Sequence, residues 1–89
     1  MSYKVLLHPK AAEFLKKADE KLKKRITKAL TELEDSPRAK GQQLQDSRFL
    51  RLRIGDYRVI YTVNEEEQKV IILFIGHRKD VYDDFSRLF

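Results

Sequence analysis

Two strand-like segments joined by only two residues constrain the fold of this chain more than any other feature. Residues 49–54 and 57–63 are rich in β-branched, aromatic and leucine side chains, and only Gly55-Asp56 separates them. A two-residue connection that contains glycine is typical of a β-hairpin turn of type I′ or II′. A lone hairpin is at best marginally stable, so the rest of the chain must supply further strands or helices to cover it.

The predicted hairpin register separates apolar from basic side chains. With Ile54 opposite Tyr57, directly opposed residues lie on the same side of the sheet, and sides alternate along each strand. One side then carries apolar residues, namely Leu50, Leu52, Ile54, Tyr57, Val59 and Tyr61, and the other carries Arg51, Arg53 and Arg58. We expect the apolar side to pack on helices and the arginine side to face solvent.

The arginine side places two like charges directly opposite each other, Arg53 and Arg58. Such a pair is mildly destabilising, and a polyanion would relieve it. Arginine also grips phosphate through two parallel hydrogen bonds, which makes this cluster a candidate binding site. The alternative is an ordinary solvated face, partly neutralised by the acidic loop that contains Glu65, Glu66 and Glu67.

The remaining segments predict helices before the hairpin and a buried strand after it. After a short strand at residues 4–7, His8 and Pro9 predict the start of a helix. Apolar residues then recur at three- and four-residue steps over 11–33, which permits one long helix or, with Asp19 as an N-cap, two. Pro37 ends the helical region, and 38–47 is predicted to be a polar loop. Residues 70–75 are all apolar, as in a strand covered on both faces, and 79–89 predict a short helix.

Length and composition limit the class of protein. The 89 residues predict one domain over 1–89, and the formal net charge is +5. Without cysteine the chain has neither a disulfide nor a thiolate metal site, and we expect no metal or other cofactor. The longest apolar stretch is too short for a membrane span, so we expect a cytoplasmic protein with no membrane partner.

The segment that follows the apolar strand adds residues suited to RNA chemistry. It reads Gly-His-Arg-Lys-Asp-Val-Tyr over 76–82, and pairing of its strand with 57–63 would bring it to the edge of the arginine side. RNA is cleaved when its 2′-hydroxyl attacks the adjacent phosphate. Arginine stabilises the charge that develops on phosphate, histidine transfers protons near neutrality, and tyrosine stacks on bases. Alternatively, His77 is structural and Tyr82 is a core aromatic.

These residues resemble a known family. Leu-Arg-Ile-Gly-Asp-Tyr-Arg-Val-Ile-Tyr over 52–61, together with the 76–82 segment, resembles the RelE branch of the RelE/ParE toxin superfamily. The likeness extends over nearly the whole chain. It implies an α+β domain of order β-α-α-β-β-β with a short terminal helix, in which a helical hairpin packs on one face of a twisted antiparallel sheet. It also implies a toxin that enters the ribosomal A site and cleaves mRNA, leaving a 2′,3′-cyclic phosphate.

The resemblance implies a role for each matching position. Arg51 matches a strand lysine that acts near the 2′-hydroxyl, and Arg53 a basic residue that binds phosphate. Arg58 and Arg78 match arginines that stabilise the transition state, and Tyr82 matches a tyrosine that stacks on a base. His77, where members have lysine or histidine, is our preferred proton-transfer group. The implied catalytic residues are Arg51, Arg58, His77, Arg78 and Tyr82.

Other basic residues are candidate RNA contacts, and two positions depart from the family pattern. Arg48, Arg53 and Lys79 are candidate phosphate-binding residues. The helical residues Lys23, Lys24, Arg25 and Lys28 are candidate contacts to ribosomal RNA, or else a solvated helix face. Phe49 stands where well-known members have a second catalytic lysine. Arg51 replaces the other lysine, and its high pKa makes arginine a poor general base.

The sequence therefore predicts the toxin of a type II toxin–antitoxin system that acts as a ribosome-dependent endoribonuclease. The expected partners are a RelB-like antitoxin, the ribosome and mRNA. The toxin alone is expected to be a monomer that forms a higher-order complex with its antitoxin. Two alternatives are a ParE-like inhibitor of DNA gyrase and a binding module for RNA or a partner that has lost catalysis.

Overall fold

The computed structural model describes residues 2–44 and 47–89, and this part of the chain contains four helices and five strands. The predicted β-α-α-β-β-β-α framework is confirmed, with one short helix and one short strand added to it. In chain order the elements are β1 (Lys4–Leu7), α1 (Pro9–Lys17), α2 (Glu20–Glu32), α3 (Pro37–Lys40), β2 (Gln42–Gln43), β3 (Leu50–Ile54), β4 (Tyr57–Asn64), β5 (Lys69–His77) and α4 (Val81–Leu88).

The strands form one sheet of order β1-β5-β4-β3-β2. The predicted hairpin is confirmed residue for residue, with Ile54 opposite Tyr57 and Arg53 opposite Arg58. Gly55 has a φ of 57°, which the tight turn requires and which glycine adopts without strain. The sheet is not wholly antiparallel as predicted, because β1 pairs with β5 in parallel. The helices that follow β1 carry the chain from this edge of the sheet to β2 at the opposite edge.

Two helices, not one, cover the sheet, and their caps explain the break. The Asp19 carboxylate accepts a hydrogen bond from the Leu22 amide at 2.8 Å, which starts α2. His8 caps α1 in the same way, accepting from the Lys10 amide at 3.1 Å. The prediction that Pro37 ends the helical region is wrong: α2 ends at Glu32, and Pro37 begins the short helix α3, because proline fits the first turn of a helix. The predicted polar loop 38–47 contains most of α3 and β2, and its positions 45 and 46 lie outside the described residues.

The larger core lies between the sheet and the helices α1 and α2. It contains every residue of the predicted apolar side of the hairpin except the half-buried Tyr57, together with Ile26 and Leu30 of α2, and Val70 and Ile72 of β5. A smaller core lies on the other side of the sheet, where Val81 and Phe85 of α4 pack on Ile60. Strand β5, which lies between β1 and β4, contributes to both cores, as its continuous apolar run predicted.

The second core corrects the expectation that the arginine side faces solvent. Helix α4 covers part of that side, and Gly76 lets it approach the sheet closely. A Cβ atom on Gly76 would lie only 3.3 Å from the Val81 side chain, so any larger residue would require its neighbours to shift by a few tenths of an ångström. Among the described residues, no helix is long and apolar enough to cross a membrane.

Candidate functional site

A basic cavity lies on the arginine side of the hairpin, next to the area that α4 covers. Its volume is about 290 Å³, and it is lined by Lys40, Gly41, Gln42, Arg51, Arg53 and Arg58. Strands β3 and β4 supply the three arginines, and the segment α3–β2 supplies the opposite wall. We call this cavity the arginine pocket. Four of its six residues are cationic, so it suits a small anionic group.

Two neutral side chains hold the guanidinium of Arg51. Its Nη1 atom donates to the Tyr82 hydroxyl at 2.8 Å, and its Nη2 atom donates to the Gln42 side-chain oxygen at 2.8 Å. The hydrogen bonds fix the guanidinium plane without neutralising its charge. Tyr82 therefore reaches the arginine pocket, as predicted, while its ring packs beside the smaller core.

Arg58 is buried, contrary to the expectation that it lies on a solvent-exposed face. Its residue surface is only 9% exposed. Its Nη1 atom donates to the carbonyl oxygens of Gly55 and Tyr57, both at 2.9 Å, so the side chain braces the hairpin turn. Burial follows from its central position: Arg58 stands between Arg53 on β3 and Gly76 on β5, beside the place where α4 packs.

Among the described residues, 2–44 and 47–89, the one acidic side chain paired with a residue of the arginine pocket is Glu32, whose carboxylate lies 3.9 Å from Lys40. Neither Arg51, Arg53 nor Arg58 forms an ion pair there. The acidic loop at Glu65 lies at the far end of β4 and pairs with other groups, because Glu65 accepts from both Arg38 and Tyr3. The ion pairs of that loop are therefore with Arg38 and Lys69, not with Arg51, Arg53 or Arg58 as the alternative of a neutralised, solvated face supposed.

Glu65 is stabilised as a carboxylate by its own partners. Hydrogen bonds from Tyr3 and Arg38 lower the pKa of the Glu65 carboxyl, and the same contact with Glu65 raises the pKa of the Tyr3 hydroxyl. The three side chains join β1, α3 and the β4–β5 turn. They form a structural network at the end of the sheet remote from the turn at Gly55.

Arg78 lies at that turn, just beyond β5. Its amide donates to the Asp56 carbonyl at 2.7 Å, and its Nε atom lies 3.7 Å from the Asp56 carboxylate. Both side chains are more than half exposed, at 53% and 69%, so water and salt screen the pair. Arg78 is therefore held at the edge of the hairpin with its guanidinium accessible.

The structure does not bring His77 to the arginine pocket. His77 pairs with Tyr57, which lies on the helix side of the sheet, and their rings make an edge contact at 5.5 Å. Its Nδ1 atom accepts from the Lys79 amide at 3.2 Å. The side chain thus stands at the same end of the sheet as Arg78, but on the face opposite Arg58.

Comparison with known proteins connects this arrangement to a family. The model of the ParE toxin of the type II toxin–antitoxin system parDE matches residues 5–82. The chain belongs to this family. It is thus a type II toxin of the RelE/ParE superfamily. No curated protein sequence matches it significantly.

Solved structures similar to this toxin are RelE proteins. The toxin–antitoxin complex RelBE2 from Mycobacterium tuberculosis matches with a TM-score of 0.81 and 25% identity, covering 88% of this chain and 100% of that one. The archaeal RelE–RelB complex from Pyrococcus horikoshii OT3 matches at 0.77 and 28%, covering 88% and 97%. A mutant of the E. coli toxin RelE in the free state matches at 0.76 and 25%, covering all of both chains.

The other predicted RNA contacts of the toxin are dispersed. Arg48 lies over the Phe49 ring, 5.4 Å from its centroid, and lines a separate groove with Thr62, Ile71 and Leu73. Lys79 is exposed after β5. The candidate ribosomal contacts Lys23, Lys24, Arg25 and Lys28 belong to α2, on the side of the sheet opposite the arginine pocket.

Arg25 differs from the other basic residues of α2 because it contacts the hairpin turn. A Cβ atom on Gly55 would lie 2.5 Å from an Arg25 nitrogen. Lys23 lies 3.7 Å from Glu20 in an ion pair along the helix, and Lys24 and Lys28 are exposed. Arg25 and Arg78 therefore both lie beside the hairpin turn at Gly55 and Asp56.

Sequence reasoning missed the wall that faces the arginines, Lys40 and Gln42. Both fall in a segment predicted to be a polar loop, where neither periodicity nor a motif marks them. The pairing of Gln42 with Arg51 in β2–β3, together with the contacts of Pro37 and Gly41 with Tyr61, brings this segment to the pocket. No group of three or more histidines and acidic residues capable of holding a metal ion occurs in the described part of the toxin.

Proposed function

We propose that this toxin is a ribosome-dependent endoribonuclease that cleaves mRNA in the A site by attack of a 2′-hydroxyl on the adjacent phosphate. The observation that carries the proposal is the arginine pocket. Three arginines converge there without an acidic partner among the described residues, and Tyr82 is tied to one of them at 2.8 Å. A site that keeps its positive charge unneutralised is suited to stabilising a phosphorane.

Each residue takes a defined part in the proposed reaction. Arg51 and Arg53 bind the phosphodiester, and Arg58, fixed against the turn, stabilises charge on the reacting phosphate. Arg78 approaches the same phosphate from the hairpin edge, since its exposed pair with Asp56 costs little to break. The Tyr82 ring stacks on a base while its hydroxyl holds Arg51.

We assign proton transfer to His77, and its position on the sheet determines the route by which it would reach the substrate. Because His77 stands on the helix side of the sheet, it must act around the hairpin edge, next to Arg78. Arginine itself is a poor base because its pKa is far above neutrality. His77→Gln, compared with Arg78→Ala in the same cleavage assay, tests this assignment, because an unchanged rate would remove His77 from the reaction.

The proposed partner in the cell is a RelB-like antitoxin that covers the arginine pocket. Several similar structures are RelE–RelB complexes, which supports an antitoxin for this toxin too. The net charge of +5 favours an acidic antitoxin segment at the pocket. We propose that the toxin alone is a monomer, that it forms a larger complex with the antitoxin, and that it acts in the cytoplasm.

One observation favours a second candidate function. The matching family model is that of ParE toxins, and ParE-like inhibition of DNA gyrase is the alternative raised by the sequence. The two functions differ in target. The proposal therefore needs an assay that detects RNA cleavage directly, together with a gyrase control.

Primer extension on mRNA bound to programmed ribosomes tests the nuclease, with wild type and Arg78→Ala compared. We expect cuts within the A-site codon that fall at least about 100-fold in the variant, as removal of a transition-state charge contact commonly does. The melting temperature should stay within about 2 °C, because Arg78 is exposed. Absence of cuts by the folded wild-type toxin, with gyrase-dependent DNA breaks, would contradict the proposal in favour of gyrase.

A further inference from the structure

The segment that faces the arginines is anchored to the sheet rather than being a free loop. We call residues 37–43, which comprise α3 and β2, the strap. The buried Tyr61 hydroxyl donates to the Pro37 carbonyl at 2.6 Å. Gly41 lies so close to the same hydroxyl that an added Cβ would stand 1.9 Å from it. The strap is therefore fixed in position at both of these residues.

The strap directs two polar side chains toward the arginine pocket. Gln42 pairs with Arg51 across β2–β3, so the two side chains lie on the same side of the sheet. Lys40 lines the pocket opposite Arg53 and Arg58. Its only ion-pair contact among the described residues is to Glu32 at 3.9 Å, and its side chain is 50% exposed. Lys40 can therefore leave Glu32 at little cost.

From this placement we propose that the strap is part of the anion site. Lys40 supplies a fourth cation for an RNA phosphodiester bound in the arginine pocket, and Gln42 is a positioning residue that orients Arg51. The inference rests on the proposed function, because it takes the bound anion to be RNA phosphate. It extends that function by adding residues outside the hairpin and the 76–82 segment.

Gln42 is suited to positioning Arg51 because its side-chain amide is a neutral hydrogen-bond acceptor. A carboxylate at this place would hold Arg51 equally well, but it would also cancel the charge that attracts phosphate. The amide oxygen holds Arg51 at 2.8 Å and leaves the full charge available. Tyr82 does the same at the other nitrogen. Other arginines of the toxin, Arg38 and Arg78, are paired with carboxylates instead.

Salt dependence of RNA binding tests the role of Lys40. The probe is a short single-stranded 2′-O-methyl RNA, which the toxin cannot cleave, measured by fluorescence anisotropy without ribosomes. Each phosphate contact contributes about 0.7 to the slope of log Kd against log salt concentration for single strands. We expect Lys40→Gln to reduce that slope by about 0.7. Lys16→Gln, on exposed α1, is the matched control and should leave it unchanged.

The same assay tests Gln42 with two variants. Gln42→Ala frees Arg51 and should weaken binding with little change in slope. Gln42→Glu keeps an acceptor for Arg51 but neutralises it, so the slope should fall by about 0.7 and binding should be weaker than in Gln42→Ala. The melting temperature of Gln42→Glu should equal or exceed that of Gln42→Ala, because Arg51 keeps an acceptor. If Gln42 only supported the fold, Gln42→Glu would bind the RNA more tightly than Gln42→Ala.

The outcomes separate this inference from the proposed function. Unchanged slope in Lys40→Gln, an equal change in Lys16→Gln, stronger binding by Gln42→Glu than by Gln42→Ala, or no salt-dependent binding by the wild type would each overturn the inference. Ribosomal cleavage by the wild type would still stand in those cases. Conversely, the expected slopes without any cleavage of ribosome-bound mRNA would leave the strap assignment intact and remove the nuclease.

Discussion

At the scale of single residues, the arginines of the site differ in what holds them. Arg51 is held by neutral acceptors, Arg58 by backbone carbonyls of the turn, and Arg78 by an exposed carboxylate. The consequence is that the same substitution to alanine has a different meaning at each position. At Arg78 it tests the proposed chemistry alone, whereas at Arg58 it also removes hydrogen bonds that hold the hairpin turn.

We predict that Arg58→Ala is destabilised by about 1–3 kcal/mol. The substitution leaves two turn carbonyls without their donor and opens space beside α4, where Arg58 is 9% exposed. Urea unfolding measures the effect, and Arg53→Ala, at the exposed partner position, is the control that should change stability by less than about 0.5 kcal/mol. Equal stability of the two variants would mean that Arg58 is not held as described.

At the scale of elements, the two cores place α1 and α2 on one side of the sheet and α4 on the other. Leu52 belongs to the larger core and is 9% exposed, while its neighbours Arg51 and Arg53 point the other way. The hairpin thus packs on the helices with one side and lines the arginine pocket with the other. This division depends on the register set by the two-residue turn, since a slip of one residue would exchange the sides.

We predict that Leu52→Ala lowers the free energy of unfolding by about 2–4 kcal/mol, because it leaves a cavity beneath the helices. Thermal or urea unfolding measures the change. The toxin should still bind RNA when it is folded, since Leu52 points away from the arginine pocket. A melting temperature equal to that of the wild type would show that the two sides of the hairpin are reversed.

The strap adds a pH-dependent term to stability. Burial raises the pKa of the Tyr61 hydroxyl to about 12, against an ordinary value of 10. Between pH 10 and 12 the unfolded phenol ionises while the folded one keeps its proton, so stability is retained below pH 10 and falls across this window. We expect Tyr61→Phe to be less stable at neutral pH, because Pro37 loses its donor, and to decline less steeply above pH 10. Parallel declines in urea unfolding would contradict this.

At the scale of the whole molecule, local signals predicted more than long-range ones. The turn residues Gly55 and Asp56 sufficed for the hairpin register, because they act on adjacent backbone. Asp19 marked the place where the helices divide, but periodicity left one long helix equally open. The side on which His77 lies required the pairing of β5 with β4, including the irregularity at Ile60 and Tyr61. That pairing depends on residues far apart in the sequence, and no local pattern specifies it.

The burial of Arg58 on the arginine side could not be predicted either, because it depends on contacts between residues far apart in the sequence. Alternation along a strand tells which side a residue faces but not what covers that side. The packing of α4 over Gly76 and the seating of the strap on Tyr61 are tertiary contacts, and together they convert an expected open face into a bounded pocket. The contact of the strap with Tyr61 helps to hold Lys40 and Gln42 beside the arginine pocket.

The proposed function requires that the toxin cleaves ribosome-bound mRNA through a 2′-hydroxyl. A decisive experiment uses two mRNAs that differ by a single 2′-deoxynucleotide at the cleaved position of the A-site codon, each bound to programmed ribosomes. We expect a cut with a 2′,3′-cyclic phosphate end in the unmodified mRNA and no cut at the deoxy position. Equal cleavage of both mRNAs, or cleavage of neither by folded toxin, would contradict it.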